Sequence, residues 1–583
     1  MQKSISTFLL LFFAASGQAQ FHTLLSPDGR LEVTINTGAR LEYSIQYAGK
    51  PLLDSCRVSL LLQNGQTLGR QPRLRKQERR SVRDTIVPVV PEKRARIPDV
   101  FEELILHFQG NYAVVFRAYD DGVAYRFTTA MPDSITIIQE DAVFQFAGTP
   151  LITYPAVWKR PDADSFHTSF EAPYKTCRLD TMPGDLAFSP VLLSTEKLPH
   201  VLITESDLLG YPGMFLRRHP DGGLRGVFAP YPKHIEVTTG EFPQQIVTDR
   251  EPWIARCAGA RTYPWRVIVV APEDADLVRN DLVYRLDSPN RLPESPWIRP
   301  GTSTEEWIIG SNIYGVPFEA GINTNTYKYY MTDFMDRDDQ HMVQFYERIA
   351  EATAKYKIMV MFHGAFKPAG LQRTYPHLIT REGALGSEFN IWSDLVTPRH
   401  DLLLPFIRQA SGPMDYEPGI LDNATQKTFR PIGEKVMSQG TRAHQLALFI
   451  AYESPLQMFS GNPSKAYEEP AFMELLGSLP TVWDETRVVE AKIGERLVLA
   501  RRRGDNWYLA SINDWMPVET TVALDFLPAG VRFRATICAD GANAHRYASD
   551  YTISERFVGA TDRLAVRLAP GGGWVVRLEW VGE

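Results

Sequence analysis

The sequence contains few cysteines and lacks the short motifs of several large enzyme classes. Its four cysteines, Cys56, Cys177, Cys257 and Cys538, are widely separated, so none of them form the close pairs of a zinc site or a small disulfide framework. There is no HExxH, GxSxG, GxGxxG or P-loop motif. These absences argue against a metalloprotease, a serine hydrolase, a dinucleotide-dependent enzyme and an ATP-driven enzyme.

Strong positive charge and long apolar runs are also missing. The net charge is -7 over 583 residues, which gives no reason to expect a nucleic acid or an anionic membrane as a partner. After the N-terminus, no segment approaches the ~18 uninterrupted apolar residues of a membrane-spanning helix. We therefore expect neither a membrane span nor a nucleic-acid partner.

The N-terminus has the pattern of a secretory signal. Lys3 supplies a positive charge, Phe8 to Ala15 form a short apolar run, and Gly17-Gln18-Ala19 resembles a cleavage site. The apolar run is too short to span a bilayer. The sequence therefore predicts a signal peptide over residues 1–19 and a periplasmic or secreted mature protein.

Three regions with different periodicity follow the signal. Residues 20–285 carry short alternating runs such as LEVTI and YAVVFRAY between turn signals, which predicts a large β-sandwich. Residues 298–480 alternate apolar strand-length runs with helical periods, as in a (β/α) barrel, and residues 485–583 return to a β pattern. Within the first region, the basic stretch from Arg70 to Arg96 is interpreted as a solvated excursion.

Two helices are predicted in the central region. The segment DQHMVQFYERIAEATAKYK places Met342, Phe345, Ile349 and Ala352 on one face of a helix. A second helix is expected where the polar pair Thr441-Arg442 leads into AHQLALFIAYE. In a barrel of this kind, catalytic side chains lie at the C-terminal ends of the strands.

A cluster of acids in the segment MTDFMDRDDQ admits several interpretations. A calcium loop starting at Asp336 would need glycine at its sixth position, where this chain has His341. Acids at 336–339 suit the start of the following helix. Asp333, between Met331 and Phe334, stands where a strand-end catalytic acid would stand, although spacing alone leaves an ordinary surface role equally open.

Two more acids and a histidine follow predicted strands nearby. Glu382 and Glu388 lie six residues apart and are either surface residues or ligands of a hard cation, which takes several oxygen ligands. His363 ends the strand IMVMFH and either contacts a substrate or is a core histidine. Glycoside hydrolysis needs two carboxyl groups on either side of one bond, so this segment is a candidate glycosidase site.

Ordered matches over nearly the whole mature chain show that it resembles glycoside hydrolase family 97. They include SPDGRLEVTI at 26–35, FRAYDDGVAYRF at 116–127, FHTSFEAPY at 166–174, ITESDLLGYPGMFL at 203–216, NIYGVPFEAGINTNTYKYY at 312–330, FHGAFKPAGLQRTYP at 362–376 and TREGALGSEFN. The resemblance implies an N-terminal β-super-sandwich, a central (β/α)8 barrel, a C-terminal β-sandwich and Ca²⁺ in the active site. It also implies an oligosaccharide or polysaccharide substrate.

The resemblance assigns roles to individual residues. The retaining, α-galactosidase-like branch uses the first Asp of DFMDRDDQ as its nucleophile, here Asp333, and the second Glu of REGALGSE as its acid/base, here Glu388. The implied calcium ligands are Glu205, Glu382 and Glu388, and the implied substrate-binding residues are His363 and Lys367. The inverting α-glucosidase branch places a Glu base directly after the His of FHGAF, where this chain has Gly364.

One departure from the family concerns the barrel. A segment like NTNTYKYY is normally followed by two further strand-helix units, but here Tyr330 runs almost directly into Met331-Thr332-Asp333. The central region spans roughly 180 residues, whereas such barrels take about 250. We therefore expect an incomplete barrel. The activity that the resemblance implies is that of a calcium-dependent retaining α-glycosidase, most simply an α-galactosidase. The alternative is a catalytically impaired glycan-binding paralogue, and an α-glucosidase is disfavoured by Gly364.

Overall fold

The computed structural model describes residues 20–239, 243–304 and 329–582. The predicted signal peptide and the strand expected at 306–310 lie outside the described residues. Within them, the chain forms an N-terminal β region, a central α/β region and a C-terminal β region, in the order that the sequence predicts.

The N-terminal region is built from two large, mostly antiparallel sheets of ten strands each within the described residues. Strand Leu31–Asn36 shows why the sequence folds this way: Leu31, Val33 and Ile35 alternate into the core while their neighbours face outward. The first sheet contains Phe21–Leu25, Leu31–Asn36, Glu42–Tyr47, Lys50–Leu62, Ile135–Phe144, Leu224–Phe228, Met214–Arg218 and Ala187–Phe188 in spatial order, with Thr67–Leu68 and Ala255–Cys257 attached.

The second sheet packs against the first and carries the strand that reaches toward the central region. In spatial order it contains Tyr174–Arg178, Leu151–Pro155, Val191–Ser194, His200–Ser206, Trp265–Ala271, Gly122–Ala130, Tyr112–Tyr119, Ile97–Phe108 and Leu74–Ile86, with Ala260–Thr262 attached. A separate hairpin joins Pro232–Val237 to Gln245–Arg250. Two short helices, Asp274–Arg279 and Leu282–Leu286, lead out of this region.

The basic stretch interpreted as a solvated excursion is partly a strand. Leu74–Ile86 pairs along its length with Ile97–Phe108 and lies at the end of the second sheet, where most of its side chains are exposed. The sequence of this strand shows no alternation of apolar and polar residues, because an edge strand that is exposed on both faces has no side chains facing a core. The predicted solvent exposure of this stretch is confirmed, and the structure shows in addition that residues 74–86 form a paired strand.

The central region contains short parallel strands that form three separate sheets within the described residues. One sheet pairs Gly301–Thr304 with Leu456–Phe459, a second joins Tyr329–Thr332, Met359–Phe362 and Leu378–Arg381, and a third pairs Asn423–Ala424 with Ser438–Gln439. The first two sheets share an apolar cluster that includes Met359, Met361, Ile379, Leu456 and Met458. The architecture is that of an incomplete barrel, as expected.

Helices alternate with the parallel strands along the described part of this region. They are Gln340–Lys355, Leu371–Thr374, Pro398–Phe406, Arg442–Ala451, Pro463–Glu468 and Pro470–Gly477, with 3₁₀ turns at Ser387–Ile391 and Arg408–Ser411. Thr441 caps the Arg442–Ala451 helix by accepting a hydrogen bond from the His444 amide, which confirms the polar start predicted there.

The Gln340–Lys355 helix forms as predicted, but its buried face is rotated. Asp339 caps it by accepting from the Met342 amide at 3.0 Å. Met342, Val343, Tyr346 and Ala350 are buried, whereas Ala352 is exposed. The rotation arises because the Tyr346 ring packs between Phe362 and Phe366, with ring centroids 4.6 and 4.8 Å away. The helical periodicity of the sequence did not identify this tyrosine as a core residue.

The C-terminal region is a β-sandwich. Its six-stranded sheet contains Glu485–Lys492, Arg496–Arg503, Asn506–Asn513, Gly573–Trp580, Phe533–Asp540 and Tyr551–Val558 in spatial order. Val518–Ala523 and Arg563–Leu568 form a second, two-stranded sheet. Trp507, Trp574 and Leu564 lie in the apolar core between the two sheets.

One apolar cluster joins all three regions. It contains Trp265 of the N-terminal region, Leu446 and Phe449 of the Arg442–Ala451 helix, and Tyr508 and Val575 of the C-terminal sheet. The Arg442–Ala451 helix of the central region is therefore packed in one core with both β regions. None of the helices among the described residues is long and apolar enough to cross a bilayer.

Candidate active site

Three of the predicted site residues follow the ends of neighbouring parallel strands. Thr332 pairs with Phe362 and Phe362 pairs with Arg381, so the next residues along the chain, Asp333, His363 and Glu382, leave the sheet at one edge. This is the edge at which barrel enzymes place their chemistry. The strand-end position that the sequence predicts for Asp333 is confirmed by its pairing.

These side chains line a cavity of about 440 Å³. Glu388 reaches the same cavity from the 3₁₀ turn Ser387–Ile391. The other lining residues come from the N-terminal region and from the loops of the central region: Trp158, Arg160, Thr168, Ser169, Glu171, Gln244, Met331, Phe334, Asp336, Gly364, Phe389, Trp392 and Glu417. Four of the six residues predicted from the sequence are therefore brought together, and the cavity is built jointly by two regions of the chain.

The loop that carries Asp333 is held in an unusual backbone conformation. Phe334 and Asp336 have positive φ angles of 59° and 49°, a conformation that non-glycine residues seldom adopt and that often occurs at functional sites. The Phe334 amide donates to Asp333 Oδ1 at 2.6 Å, and the Asp336 amide donates to the Gly364 carbonyl at 2.7 Å. These bonds fix the direction of the exposed Asp333 carboxylate, while burial raises the pKa of Asp336 to about 7.

Gly364 provides the space that this loop occupies. Its φ angle is +51°, and a Cβ atom added there would lie 2.8 Å from the Phe334 amide nitrogen and 3.0 Å from Asp333 Oδ1. The Gly364 amide donates to Glu382 Oε2 at 2.6 Å. A glutamate at this position would collide with the Asp333 loop, so the site that holds Asp333 excludes the base of the inverting branch.

Three carboxyl groups converge on one side of the cavity. Oxygen atoms of Glu171, Glu382 and Glu388 all lie within 4.8 Å of one another. Burial raises the pKa of all three carboxyls: repulsion from Glu382 and Glu388 adds to the rise at Glu171, the pKa of Glu382 is raised to about 8, and the charge of Asp333 adds to the rise at Glu388. Several closely spaced carboxyl oxygens are the donor set of a hard divalent cation, and His363 beside Glu382 offsets only part of their charge, so these residues fit Ca²⁺.

The structure does not bring the predicted ligand Glu205 into this group. Glu205 lies on strand His200–Ser206 and accepts from Arg266 at 2.7 Å, Lys367 at 2.6 Å and the Met214 amide at 2.9 Å. Although burial raises the pKa of a carboxyl, Lys367 and Arg266 hold that of Glu205 below its ordinary value. Its position in the cluster is taken by Glu171, which the sequence argument missed although it lies within the segment FHTSFEAPY.

Lys367 is likewise engaged inside the protein. Its ammonium group is buried against Glu205, and Lys367 is absent from the residues that line the cavity in the described part of the chain. The predicted contact of Lys367 with a substrate therefore does not agree with this geometry. The reason is that Lys367 forms a buried ion pair with Glu205, which lies on a strand distant in the sequence. A single sequence does not reveal such a partner.

His363 lies among carboxyl groups that the sequence argument did not identify. Its Nε2 atom is 2.5 Å from Asp415 Oδ2 and 3.5 Å from Glu417 Oε1, and its Nδ1 atom is 3.6 Å from Glu382 Oε1. Burial opposes the charged ring, yet Glu382, Asp415 and Glu417 raise the pKa of His363 well above its ordinary value. The paired acids in MDYEPG, two residues apart, were the only sequence signal for Asp415 and Glu417.

The whole arrangement can perform acid/base and nucleophilic chemistry on a small polar ligand. The exposed carboxylate of Asp333 and the carboxyl of Glu388 line one cavity, and the negative charge of Asp333 contributes to the raised pKa of Glu388. One carboxyl that is ionised and one that keeps its proton are the requirements for cleaving an acetal bond.

Three models of one sequence family match this chain. They are described as the glycosyl-hydrolase 97 N-terminal domain, matching residues 24–289, the glycoside hydrolase 97 domain, matching residues 318–384, and the glycosyl-hydrolase 97 C-terminal, oligomerisation domain, matching residues 482–579. The short central match ends before Glu388, in the region where the barrel is incomplete.

The curated relatives that align with the chain include two that are described as α-galactosidases. A retaining alpha-galactosidase of Bacteroides thetaiotaomicron is 34% identical, and the alignment covers 98% of this chain and 99% of the relative. It runs over 661 positions, more than the 583 residues of this chain, so the relative has residues without a counterpart here. A probable retaining alpha-galactosidase of Streptomyces bingchenggensis is 26% identical over 86% of this chain and 85% of its own length.

Solved structures of similar fold agree with this relationship. A glycoside hydrolase family 97 enzyme from Pseudoalteromonas sp. strain K8, in complex with acarbose, superimposes with a TM-score of 0.82 at 23% identity and covers 96% of this chain and 100% of its own. A beta-arabinopyranosidase structure superimposes with a TM-score of 0.77 at 21% identity, with the same coverage of both chains. At these identities the two structures support the fold.

Proposed function

The chain belongs to glycoside hydrolase family 97, and from this premise we propose that it is an exported, calcium-dependent, retaining α-glycosidase that hydrolyses terminal α-galactosides. The observation that carries the proposal is that Asp333 lies beside Gly364, a residue without a side chain. Asp333 stands at the end of its strand, and the missing side chain at residue 364 leaves room for it. A site that holds a nucleophile here has no room for the base of the inverting branch.

The proposed reaction has two steps. The Asp333 carboxylate attacks the anomeric carbon while the Glu388 carboxyl gives its proton to the glycosidic oxygen, so that the leaving group departs neutral and a glycosyl ester remains on Asp333. Glu388, now ionised, removes a proton from a water molecule, and the resulting hydroxide displaces Asp333 from the same carbon. Two inversions at that carbon give net retention.

Neighbouring groups prepare both carboxyls for these roles. Burial raises the pKa of Glu388 and favours the protonated form that the first step needs, whereas a Ca²⁺ ion held by this carboxyl would favour its ionised form. The Phe334 amide donates to Asp333 and holds its carboxylate in one direction. His363, kept charged by Asp415 and Glu417, adds a fixed positive charge at the floor of the cavity.

Glu171, Glu382 and Glu388 are the residues that would hold calcium. The ion would supply positive charge beside the reacting carboxyls and a coordination site for sugar hydroxyls. The chain's own contribution is to hold these carboxyls together, with Glu382 oriented by the Gly364 amide. Exhaustive chelation with EDTA should lower both activity and melting temperature, and added Ca²⁺ should restore both; no change in either would count decisively against the proposal.

The experiment that tests the reaction is hydrolysis of an aryl α-galactoside, with an aryl α-glucoside and an aryl β-arabinopyranoside as alternatives. An NMR time course should show the α-anomer of galactose first. Asp333→Ala should abolish turnover, and azide should partly restore it by forming the β-galactosyl azide. Release of the β-anomer first from an α-galactoside would contradict retention.

A second candidate function is binding of glycans without turnover. It is favoured by one observation: the described parallel strands form three separate sheets rather than one closed barrel. The two functions are separated by an activity assay on a clone whose DNA sequence has been verified across codons 325–340, where the barrel is shortened. Binding of galactosides without any release of galactose by the resequenced protein would favour the binding function, and release of galactose would exclude it.

A further inference from the structure

An aromatic group stands at the cavity that holds Asp333 and Glu388. Trp158 and Trp392 line this cavity, and 40% and 49% of their surfaces are exposed. The buried Phe389 ring lies between them in edge-on contact, with its centroid 6.0 Å from Trp158 and 5.2 Å from Trp392. Large aromatic rings are usually buried, as Trp265, Trp483 and Trp574 are here, so two half-exposed rings on one cavity need an explanation.

The local backbone links this aromatic group to the acid/base. Glu388 and Phe389 belong to the 3₁₀ turn Ser387–Ile391, and Trp392 is the residue that ends it. In a 3₁₀ turn, side chains three residues apart lie above one another, which brings Phe389 and Trp392 into contact. The Ser393 amide donates to the Phe389 carbonyl at 2.8 Å and fixes the exit of the turn. The Trp392 ring is therefore held in a defined place in the cavity that Glu388 also lines, four residues further along the chain.

The proximity to Glu388 indicates which part of a substrate the rings would meet. An acid/base must reach the glycosidic oxygen, and that oxygen is the first atom of the leaving group. Side chains beside the acid/base therefore flank the leaving group rather than the sugar that is attacked by Asp333. Pyranose rings present an apolar C–H face, and aryl groups present a flat ring; both fit against exposed aromatic faces.

We propose that Trp158 and Trp392, supported by Phe389, form a subsite for the leaving group that binds a second sugar ring or an aryl aglycon by stacking. This inference rests on the proposed function of Glu388 as the acid/base. It makes the enzyme selective for galactosides with a cyclic leaving group over galactosides with a compact one.

The test compares leaving groups on the same galactosyl unit. Galactosyl-α-1,6-glucose carries a ring in the proposed subsite, whereas α-galactosyl fluoride carries a single atom there. In Trp392→Ala and in Trp158→Ala, the ratio of kcat/KM for the disaccharide to kcat/KM for the fluoride should fall by about tenfold, the size expected from the loss of one stacking contact. Trp392→Phe should retain most of the ratio because it keeps a flat ring.

Trp580→Ala is the matched control. Trp580 is 50% exposed on the last strand of the C-terminal sheet, so its removal deletes an equally exposed ring without touching the cavity. Its ratio should equal that of the wild type. A ratio in Trp392→Ala and Trp158→Ala that stays at the wild-type value, including the case in which both rates fall together, would overturn the subsite.

A binding measurement keeps the subsite testable even without turnover. In an Asp333→Ala background, calorimetry should show that the disaccharide binds more tightly than galactose and that adding Trp392→Ala removes this difference. A wild type inactive on both substrates but with this binding difference would refute the proposed function and support the subsite. Equal affinities for the two sugars, or binding of neither, would overturn the subsite whatever the activity.

Discussion

Gly364 is the single residue on which the position of Asp333 most depends. Its positive φ angle of +51° costs little for glycine and more for any residue with a Cβ atom. The space beside it is filled by the Phe334 amide and by the carboxylates of Asp333 and Asp336. Residue 364 therefore meets two requirements, a positive φ angle and the absence of a Cβ atom. The second requirement acts directly on Asp333, the proposed nucleophile.

We expect Gly364→Ala to lower kcat by about 10²-fold, because the added methyl group would push the Asp333 carboxylate away from its direction. The free energy of unfolding should fall by about 1–3 kcal/mol from backbone strain. Steady-state kinetics and chemical denaturation measure the two effects. Gly504→Ala is the control, since Gly504 has a φ angle of +59° but nothing within 4 Å of an added Cβ; it should lose stability with unchanged kcat, and an equal loss of kcat in both variants would contradict the steric argument.

His377 is a buried histidine that should make the protein sensitive to acid. Its Nε2 atom lies 3.0 Å from the Ala350 carbonyl, its Nδ1 atom has no hydrogen-bond partner, and burial lowers its pKa to about 4. The unfolded chain binds this proton with a pKa near ~6.5. A depressed histidine pKa means that the stability contribution is complete above pH ~6.5 and is lost as pH falls toward 4.

Between those two pH values the free energy of unfolding should fall by up to about 3 kcal/mol on account of His377. His377→Gln, which cannot gain a proton, should flatten this part of the curve although it starts from a lower stability. Melting temperatures recorded every half pH unit provide the measurement. A parallel acid dependence of wild type and variant would show that His377 is not the group responsible.

At the scale of elements, strand His200–Ser206 connects the N-terminal sheet with the central region through Glu205. Its carboxylate accepts from Arg266 on a neighbouring strand and from Lys367 in the loop after Met359–Phe362. All three side chains are buried. This ion pair network is therefore a structural link between two regions, whereas Glu171 lies in the carboxyl cluster of the cavity.

The Glu205→Gln and Glu171→Gln variants should differ in the property that is lost, which is stability in the first and Ca²⁺ affinity in the second. Glu205→Gln leaves the buried Lys367 ammonium without its ion pair to Glu205, while Arg266 keeps its two bonds to Glu140, so the free energy of unfolding should fall by about 3–5 kcal/mol while Ca²⁺ affinity is kept. Glu171→Gln should weaken Ca²⁺ binding by at least about tenfold with a smaller effect on the apoprotein. Calorimetric titration with Ca²⁺ and denaturant unfolding distinguish them, and loss of calcium binding in Glu205→Gln alone would return Glu205 to the ligand set.

At the scale of the whole molecule, the three regions share one core. The apolar cluster that contains Trp265, Leu446, Tyr508 and Val575 extends from the N-terminal sheet through a central helix to the C-terminal sheet. Regions joined by a large apolar interface unfold together, whereas regions joined by a small polar one unfold separately. The shortened central region thus has support on both sides.

Scanning calorimetry of the intact protein should therefore show one cooperative transition. Removal of residues 485–583 should expose the apolar face of the Arg442–Ala451 helix and abolish this transition or render the fragment insoluble, because that helix is buried along its whole length. Two well-separated transitions in the intact protein, or a truncated form that melts as the intact one does, would show that the regions are independent.

The sequence by itself determined much of the local structure and part of the site. Alternation gave the strands Leu31–Asn36 and Tyr112–Tyr119, periodicity gave the helix Gln340–Lys355, and ordered family motifs led to Asp333, Glu382 and Glu388. The strand and helix inferences succeed because alternation and periodicity are local properties of a chain that buries one face. Comparison with the family pattern located the shortening after Tyr330, and the length of the central region agreed with it.

The tertiary structure alone decided which distant residues meet. Glu171 and Glu205 lie in equally ordinary strand and loop contexts, yet Glu171 joins the cavity and Glu205 is neutralised by Lys367 and Arg266. Likewise, the sequence marked Gly364 as the absence of a base, and only the fold revealed that this absence makes room for Asp333. Charge pairing and steric exclusion depend on distances between residues far apart along the chain, and the local pattern of one sequence carries no such distances.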